Sequence, residues 1–394
     1  MSIIYTGLWV ESSRAHEYHG LSIAGNNFQE KFLEDLKIIG FPPNNIISIR
    51  PVLSYPQQKL FWSNDLNTER TDIVYIPFIN FSVLKVLTQG INFTKSFFKS
   101  IASRHQNILI SYNLSHPQGM FLYFCKFISR SKWVVLLADF PGVSFSHDRS
   151  PLRRIAFQLE LYFLKRSDAV ILLNPNIIVD FSIQLPFIQM LPSPPKKILH
   201  RLQKIQPRFS DQCILYYGGR LDQVRGLLSL LEAIKRLPED SKIELWITGD
   251  GPLLIDLLSI QKESHRIKYL GKMATQEEIF EIYEQVDGLV NPHEITSPES
   301  RALFPSKVIE QLATGVPVMS TKVSQIDHLF KTSLYFESDH PESILKGMRT
   351  FELGDRKKFM SEAQVNKDLI HSNTIFEKQQ NDLRLLLSSL ESNS

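Results

Sequence analysis

Lys307 and Glu310 stand three residues apart in FPSKVIEQLATGVPV, a spacing that puts both on one face of a helix. Pro305 and Ser306 open that helix, with Ser306 as its expected cap, and Gly315 ends it. A helix start presents free N–H groups, and Lys307 adds a positive charge beside them, which makes an anion site. Glu310 lies one turn deeper. An ionised carboxylate accepts through two oxygens and can hold both hydroxyls of a vicinal diol. Phosphate at the helix tip and a diol one turn in is the layout of a bound nucleotide. The plainer alternative is a solvated Lys–Glu pair worth a few tenths of a kcal/mol. The apolar LATGVPV that follows argues against an exposed face.

Three further windows have the same character. In YYGGRLDQVRGLLSLLEAI (216–234), two glycines end an apolar run, and Arg220 and Arg225 flank a loop before a helix. Guanidinium forks bind phosphate oxygens bidentately, so two converging arginines suit a diphosphate. Two solvated surface arginines are the competing reading, and Gly219 before Arg220 brings the two readings level. ITGDGPL (247–253) places Gly249 and Gly251 around Asp250. It is either a tight turn or a turn kept bare so that a nucleotide or sugar can pass. IAGNNFQEKFLEDL (23–36) puts Gly25 before an expected helix, with Asn26 or Asn27 as its cap. An ordinary loop-to-helix turn explains that window as well as a phosphate site does.

The elements that must position these residues alternate along the whole chain. DIVYIPF (72–78), NILISYN (107–113), WVVLLAD (133–139) and DAVILLN (168–174) are short apolar runs bounded by polar residues, the pattern of buried parallel strands. QCILYYG (212–218), KIELWITG (242–249), IKYLG (267–271), GLVNP (288–292) and VPVMST (316–321) repeat it with helical segments between. This predicts an α/β protein with two Rossmann-like, doubly wound domains facing a central cleft. The proline-rich stretch 191–210 is the expected linker. It gives a first domain over 1–195, a second over 196–372, and a last helix within 373–394 packing back on the first.

Length and composition bound the rest. With 394 residues, 43% hydrophobic and 22% charged, the chain is long enough for two cores. A net charge of +3 is too small to argue for nucleic acid. The first half is mildly basic, with 18 Lys and Arg against 13 Asp and Glu in residues 1–195. Cys125 and Cys213 form neither a disulfide framework nor a zinc pattern. The N-terminus lacks the pattern of a signal peptide, and 133–140 is too short to span a bilayer, so a cytoplasmic location is expected. HEYH (16–19) lacks zinc-protease spacing and reads as a surface loop. His293 and Glu294 follow a strand and are candidates to line the cleft. Residues 93–106 and 121–133 interleave aromatic and basic side chains. They read either as helices on the inner face of a membrane or, preferred here, as core helices with snorkelling lysines.

Taken together, the windows resemble the GT-B glycosyltransferases. Within them they resemble the retaining, glycosyltransferase family 4-like group (GT4) that includes bacterial sugar transferases of polysaccharide assembly. GGRLDQVRG resembles that family's G-R-L-x-x-x-K-G motif, with Arg225 in place of Lys. GDGP is similar to its strand-end turn, and FPSKVIEQLATGVPV to its donor-binding helix. Glu310 falls on the second glutamate of the family's paired-glutamate signature, while the first falls on Ala302 and the family's G-F-G on Leu303, Phe304 and Pro305. YNLSHPQG and LLADFPG match loosely at His116 and Asp139. The likeness is specific from about 214 to 325 and weak before 190.

The resemblance implies roles. Arg220, Arg225, Gly219, Gly249, Ser306 and Lys307 would hold the donor diphosphate, and Glu310 the ribose. Gly271, Lys272 and Met273 would line the base pocket. Gly25 would let the acceptor-side loop close over the diphosphate, His116 would touch the transferred sugar, and Asp139 would belong to the donor site. His116, Arg220, Arg225 and Glu310 are the expected catalytic set. No metal and no cofactor are implied, because arginines stand where a divalent cation would. The expected reaction moves a sugar from a nucleotide-diphosphate sugar to a carbohydrate acceptor, free or lipid-linked, with retention. Two rivals stay open: a GT-B epimerase of nucleotide sugars, and a non-catalytic nucleotide-sugar-binding partner of an active transferase, which Ala302 and Pro305 favour.

Overall fold

The computed structural model describes residues 2–11, 14, 17, 18, 20–63, 72–101, 107–114, 116–138, 151–208, 212–296, 300, 304–331 and 333–392. For Ser82, His116, Pro117, Leu152 and Arg153 it describes the backbone alone. The chain divides into two compact units, Met1–Ser193 with Phe376–Ser394, and Pro194–Ile375.

In the first unit, seven described strands form one parallel sheet. They are β1 (Ser2–Gly7), β2 (Asn45–Ser48), β4 (Ile73–Tyr75), β6 (Asn107–Tyr112), β7 (Lys132–Leu137), β8 (Ala169–Leu172) and β9 (Phe187–Gln189), in the order β4-β2-β1-β6-β7-β8-β9. A short antiparallel pair, β3 (Phe61–Trp62) and β5 (Phe78–Ile79), stands apart. Ile3, Ile4, Tyr5, Ile108, Leu109 and Ile110 are all buried, as continuous apolar runs are when a parallel sheet is covered on both faces. Helix α1 (Ile23–Ile38) takes the chain from β1 to β2. Helices α2 (Ser82–Ser100), α3 (His116–Ser129) and α4 (Pro151–Leu164) carry it the other way, through β6, β7 and β8. Right-handed crossovers therefore put α1 on one face and α2, α3 and α4 on the other. The sense of travel reverses between β1 and β6. A short helix, α5 (Asn176–Asp180), precedes β9, and α6 (Lys196–Gln203) is the first element of the second unit.

In the second unit the parallel order is β12-β11-β10-β13-β14-β15. Its strands are β10 (Cys213–Arg220), β11 (Ile243–Asp250), β12 (Ile267–Tyr269), β13 (Gly288–Asn291), β14 (Val318–Thr321) and β15 (Leu334–Phe336). The helices between them are α7 (Leu227–Lys235), α8 (Leu254–Glu263), α9 (Gln276–Tyr283) and α10 (Ser306–Leu312), then α11 (Ile326–Leu329), α12 (Pro341–Leu353) and α13 (Arg356–His371). Leu215, Leu230, Ile234, Leu245, Met319 and Phe351 belong to one buried core. Here the order reverses between β10 and β13. In open α/β sheets ligands bind beyond the strands' carboxyl ends at such reversals. The last helix, α14 (Thr374–Ser392), buries Leu383 and Leu387. Its Gln380 donates to Asp35 of α1 at 2.6 Å. Among the described residues no helix is long and apolar enough to cross a membrane.

Candidate functional site

Strands β10 and β11 end in step, Gly219 opposite Gly249 and Arg220 opposite Asp250. The backbones approach so closely that a Cβ on Gly249 would lie 1.7 Å from the Gly219 carbonyl oxygen, at a φ of 137°. Gly249 is therefore required by the neighbouring strand, which supports the tight-turn reading of GDGP. Gly219 and Gly271 differ, since a Cβ at either meets nothing within 4 Å. Their backbone faces open space. Gly271 accepts the Gly249 N–H at 3.1 Å. Lys272 is exposed and reaches Asp250 at 3.5 Å, and Met273 is half-buried beside it.

After β10 the chain turns through Asp222, a residue the motif reading passed over. Its carboxylate takes the Arg225 N–H at 3.0 Å and Arg225 Nη1 at 2.6 Å, and lies 3.3 Å from Arg220 Nε. The two arginines do converge, on an internal carboxylate. A guanidinium has five N–H donors, so each retains donors for another anion. Gly226 follows at a φ of 73°, where a Cβ would strike the Pro292 carbonyl oxygen, and the Glu294 N–H donates to Val224 at 2.9 Å. The loop after β13 thus clamps the arginine loop at the sheet's reversal point.

Helix α10 faces this loop. The N-cap position is Pro305 with no side-chain capping bond, and Ser306 is the first helical residue. This corrects the expected Ser306 cap. The proline has no N–H and its ring fixes φ, so the chain enters the helix at the following residue. The Ser306 N–H goes to Phe304 and the Val308 N–H to Pro305, which leaves fewer open donors than the expected anion site assumed. Lys307 has an exposed side chain. Burial pulls its proton affinity down, Glu310 pulls it up, and Arg225 lowers it further. Arg225 and Lys307 are thus held near enough to repel one another. Glu310 accepts from Gln276 Nε2 of α9 at 3.2 Å. Burial raises its pKa, opposed first by Lys307 and then by hydrogen bonds from Gln276 and Tyr283. Gln276 and Tyr283 were not singled out in the sequence. The signal was faint: a polar and an aromatic residue seven apart, which is one face of α9.

His293, just beyond β13, is 8% exposed, and its Nδ1 has no hydrogen-bond partner among the described residues. Burial, then the charge of Arg225, lowers its pKa to about 3. It is neutral in the folded protein at pH 7. The unfolded chain binds a proton near pH 6.5, so between about 6.5 and 3 the unfolded state holds more protons. Stability therefore rises with pH across that window and is lost as pH falls through it. The His293→Gln variant should flatten this dependence by a few kcal/mol, on the order of 1.4 per pKa unit. The check is to compare urea midpoints of the two proteins from pH 7 to pH 4. Equal slopes would show that His293 is not the titrating group.

In the first unit a cleft opens at the reversal point between β1 and β6. Gly7, Asn113 and Gln118 line it with Val86, Phe93 and Phe121. Gly25 lies near this cleft, since its Cβ would sit 2.9 Å from the hydroxyl of Tyr112, a lining residue. The expected cap at Asn26 or Asn27 is corrected. Ser22 caps α1 by accepting from the Gly25 N–H at 3.2 Å, which puts Gly25 inside the first turn. Asn26 is buried and bonds both the N–H and the carbonyl of Val10 at 2.9 Å; a side chain tied to a separate strand end cannot also cap. His116 begins α3, but its side chain lies outside the described residues, as do Asp139, Glu299, Ala302, Leu303 and the two histidines of HEYH.

Residues 212–351 match the family model described as "Glycosyl transferases group 1". That span runs from β10 into α12 and contains every second-unit residue discussed above. No curated protein sequence matches the chain. Among solved structures, a sucrose-phosphate synthase from Thermosynechococcus elongatus superposes with a TM-score of 0.66 at 14% identity, covering 100% of both chains. Anabaena Alr3699/HepE in complex with UDP gives 0.61 at 13%, over 99% of this chain and 100% of that one. The E. coli trehalose-6-phosphate structure bound with UDP-2-fluoro glucose gives 0.67 at 10%, over 99% of each. At these identities the likeness shows the fold, which is GT-B.

Proposed function

We propose that the protein is a glycosyltransferase that moves a sugar from a nucleotide-diphosphate sugar to a carbohydrate acceptor, with retention. The observation that carries this is the convergence of Arg220 and Arg225 on Asp222 at the sheet's reversal point, with Lys307 near enough to feel the Arg225 charge and the Glu310 carboxylate one helical turn from Lys307. Like charges brought together favour an anion between them, and a carboxylate set back from it suits the ribose diol. UDP complexes among proteins of the same fold support the choice of ligand, as does work on glycosyl transfer with retention by a trehalose-6-phosphate synthase of that fold.

In this reading Arg220, Arg225 and Lys307 stabilise charge on the diphosphate as the bond from the sugar's anomeric carbon to phosphate oxygen breaks. The acceptor hydroxyl forms the new bond on the same face, and its proton passes to the leaving phosphate oxygen. No metal is assigned, because the three cations supply the positive charge. Gly219 and Gly271 leave room beside their backbone for sugar and base, with Lys272 and Met273 along the base. The first unit takes the acceptor. Its cleft pairs amide side chains with apolar walls, which suits a sugar ring with polar edges and an apolar face, whether the glycan is free or lipid-linked. Polysaccharide assembly is the proposed setting.

The test is thermal stabilisation by UDP, GDP, ADP, CMP and their common sugars, with and without EDTA. One nucleotide should raise the melting temperature, with EDTA making no difference, and Glu310→Ala should weaken that nucleotide by about 1–3 kcal/mol. A shift that survives Glu310→Ala unchanged would remove Glu310 from the ribose. No shift with any nucleotide would remove the donor site.

A further inference from the structure

Helices α2, α3 and α4 cover one face of the first unit's sheet, and their outer surface is apolar. On α2, Val83 (68% exposed), Leu87 and Ile91 are open to solvent, and on α3 so are Phe124 and Phe127 (70% exposed). Tyr162 continues the surface on α4. These residues face one way. A Cβ on Gly90 of α2 would strike the Phe121 ring of α3, and a Cβ on Gly119 of α3 would strike the Phe163 ring of α4. Thr94 and Cys125 meet one turn beyond the first contact. The helices therefore run parallel, side by side. At 100° per residue the exposed stripe lies clockwise of the seam on one helix and anticlockwise on its neighbour, which puts the stripes on the same side.

The charge on this layer is one-sided. The three helices contain a single acidic residue, Glu160, and it is buried. Lys95 and Lys99 are exposed along the outer flank of α2, and Arg154 and Lys165 along and just beyond α4. Helix α1, on the opposite face, carries Glu30, Glu34 and Asp35. An apolar centre with a basic rim is the surface of an element that lies in a bilayer interface. Large exposed apolar patches mark interaction sites, and the charge selects among partners. A second copy would bring two basic rims together, and like charges oppose that pairing. Anionic headgroups neutralise the rim while acyl chains take the aromatic centre.

We propose that the outer face of α2, α3 and α4 docks the protein on a membrane surface bearing anionic lipids. The inference does not rest on the donor reading, and its test needs no activity. The purified full chain is sedimented with vesicles of phosphatidylcholine alone and with about a third phosphatidylglycerol. It should partition onto the anionic vesicles at least tenfold more strongly, and less so as salt rises. Phe124→Ser with Phe127→Ser should lower that partition roughly tenfold or more, and Lys95→Glu with Lys99→Glu should do the same on anionic vesicles only. Thermal melts confirm that the variants are folded. The lysine pair, fully on the surface, keeps the test decisive if the phenylalanine pair fails to fold. Absence of vesicle binding, or binding indifferent to the lysine pair, overturns the proposal. So does a dimer in solution that the phenylalanine pair converts to monomer, which would assign the face to a second copy.

Discussion

Arg220→Ala should cut turnover by about 10²–10³ while leaving stability nearly unchanged. The side chain is 66% exposed and its described ion-pair partner is Asp222 at 3.3 Å. A surface pair of that kind is worth about 1 kcal/mol or less, so a urea melt should move little. Removing a cation aimed at developing charge costs about 3–4 kcal/mol of barrier, by analogy with the loss of one oxyanion donor. Arg225→Ala should do at least as much, because it also leaves the Asp222 carboxylate without its 2.6 Å partner beside the proposed diphosphate. The check is kcat and KM for both variants once the thermal-shift panel has named the nucleotide. Turnover within threefold of the parent for Arg220→Ala would mean that the diphosphate is not there, and the arginines would revert to loop-shaping residues held by Asp222.

Gly249→Ala should destabilise the second unit by about 4 kcal/mol or more, among the largest effects a single methyl can have. The added carbon would sit 1.7 Å from a backbone oxygen of the adjacent central strand, and φ is 137°. Neither strand can yield, because Gly219 and Gly249 are paired in register. Two neighbouring glycines supply the controls. Gly271→Ala has open space but a φ of 92°, so only a backbone cost of about 1–2 kcal/mol applies. Gly219→Ala has open space and no such constraint. It should melt with the parent yet bind the nucleotide more weakly if the donor passes over it. Urea midpoints for the three variants read this directly. A Gly249→Ala midpoint equal to that of Gly219→Ala would show that the strand ends are not packed as described.

Much of this was legible because buried parallel strands write themselves as apolar runs. NILISYN, WVVLLAD, QCILYYG and KIELWITG each overlap a described strand, and doubly wound α/β followed from their alternation with helices. The central strand β1 was not read as one, although all six of its residues are buried. SIIYTG is short, mixes Ser, Thr and Gly with its apolar residues, and stands at the start of the chain, so no flanking period marks it. The stretches 93–106 and 121–133 read as helices with one core face, and α2 and α3 do bury Phe93, Phe97, Leu122 and Cys125. A helical wheel shows which face is apolar but not whether a neighbour covers it, and here the outer stripe is open. At the site, Arg220, Arg225, Lys307 and Glu310 could be named from motif spacing. Asp222 could not, because an acid between two arginines looks like surface charge until its distances are known. Ser306 was misread because cap preference was weighed above the proline before it.

The first unit is interrupted. Its sheet is built from Met1–Ser193, while the helix that closes over Asp35 comes from Phe376–Ser394. During synthesis the second unit, one unbroken stretch from Pro194 to Ile375, is complete while the first still waits for α14. Domains fold as units as the chain emerges. The first unit, begun first, is therefore finished after the second, and until the last helix emerges Asp35 of α1 lacks its bond from Gln380. An upstream unit that needs a segment from beyond the next unit can mature only after that next unit has been made, so a chain cut short within 194–375 would lack the last helix of its first unit.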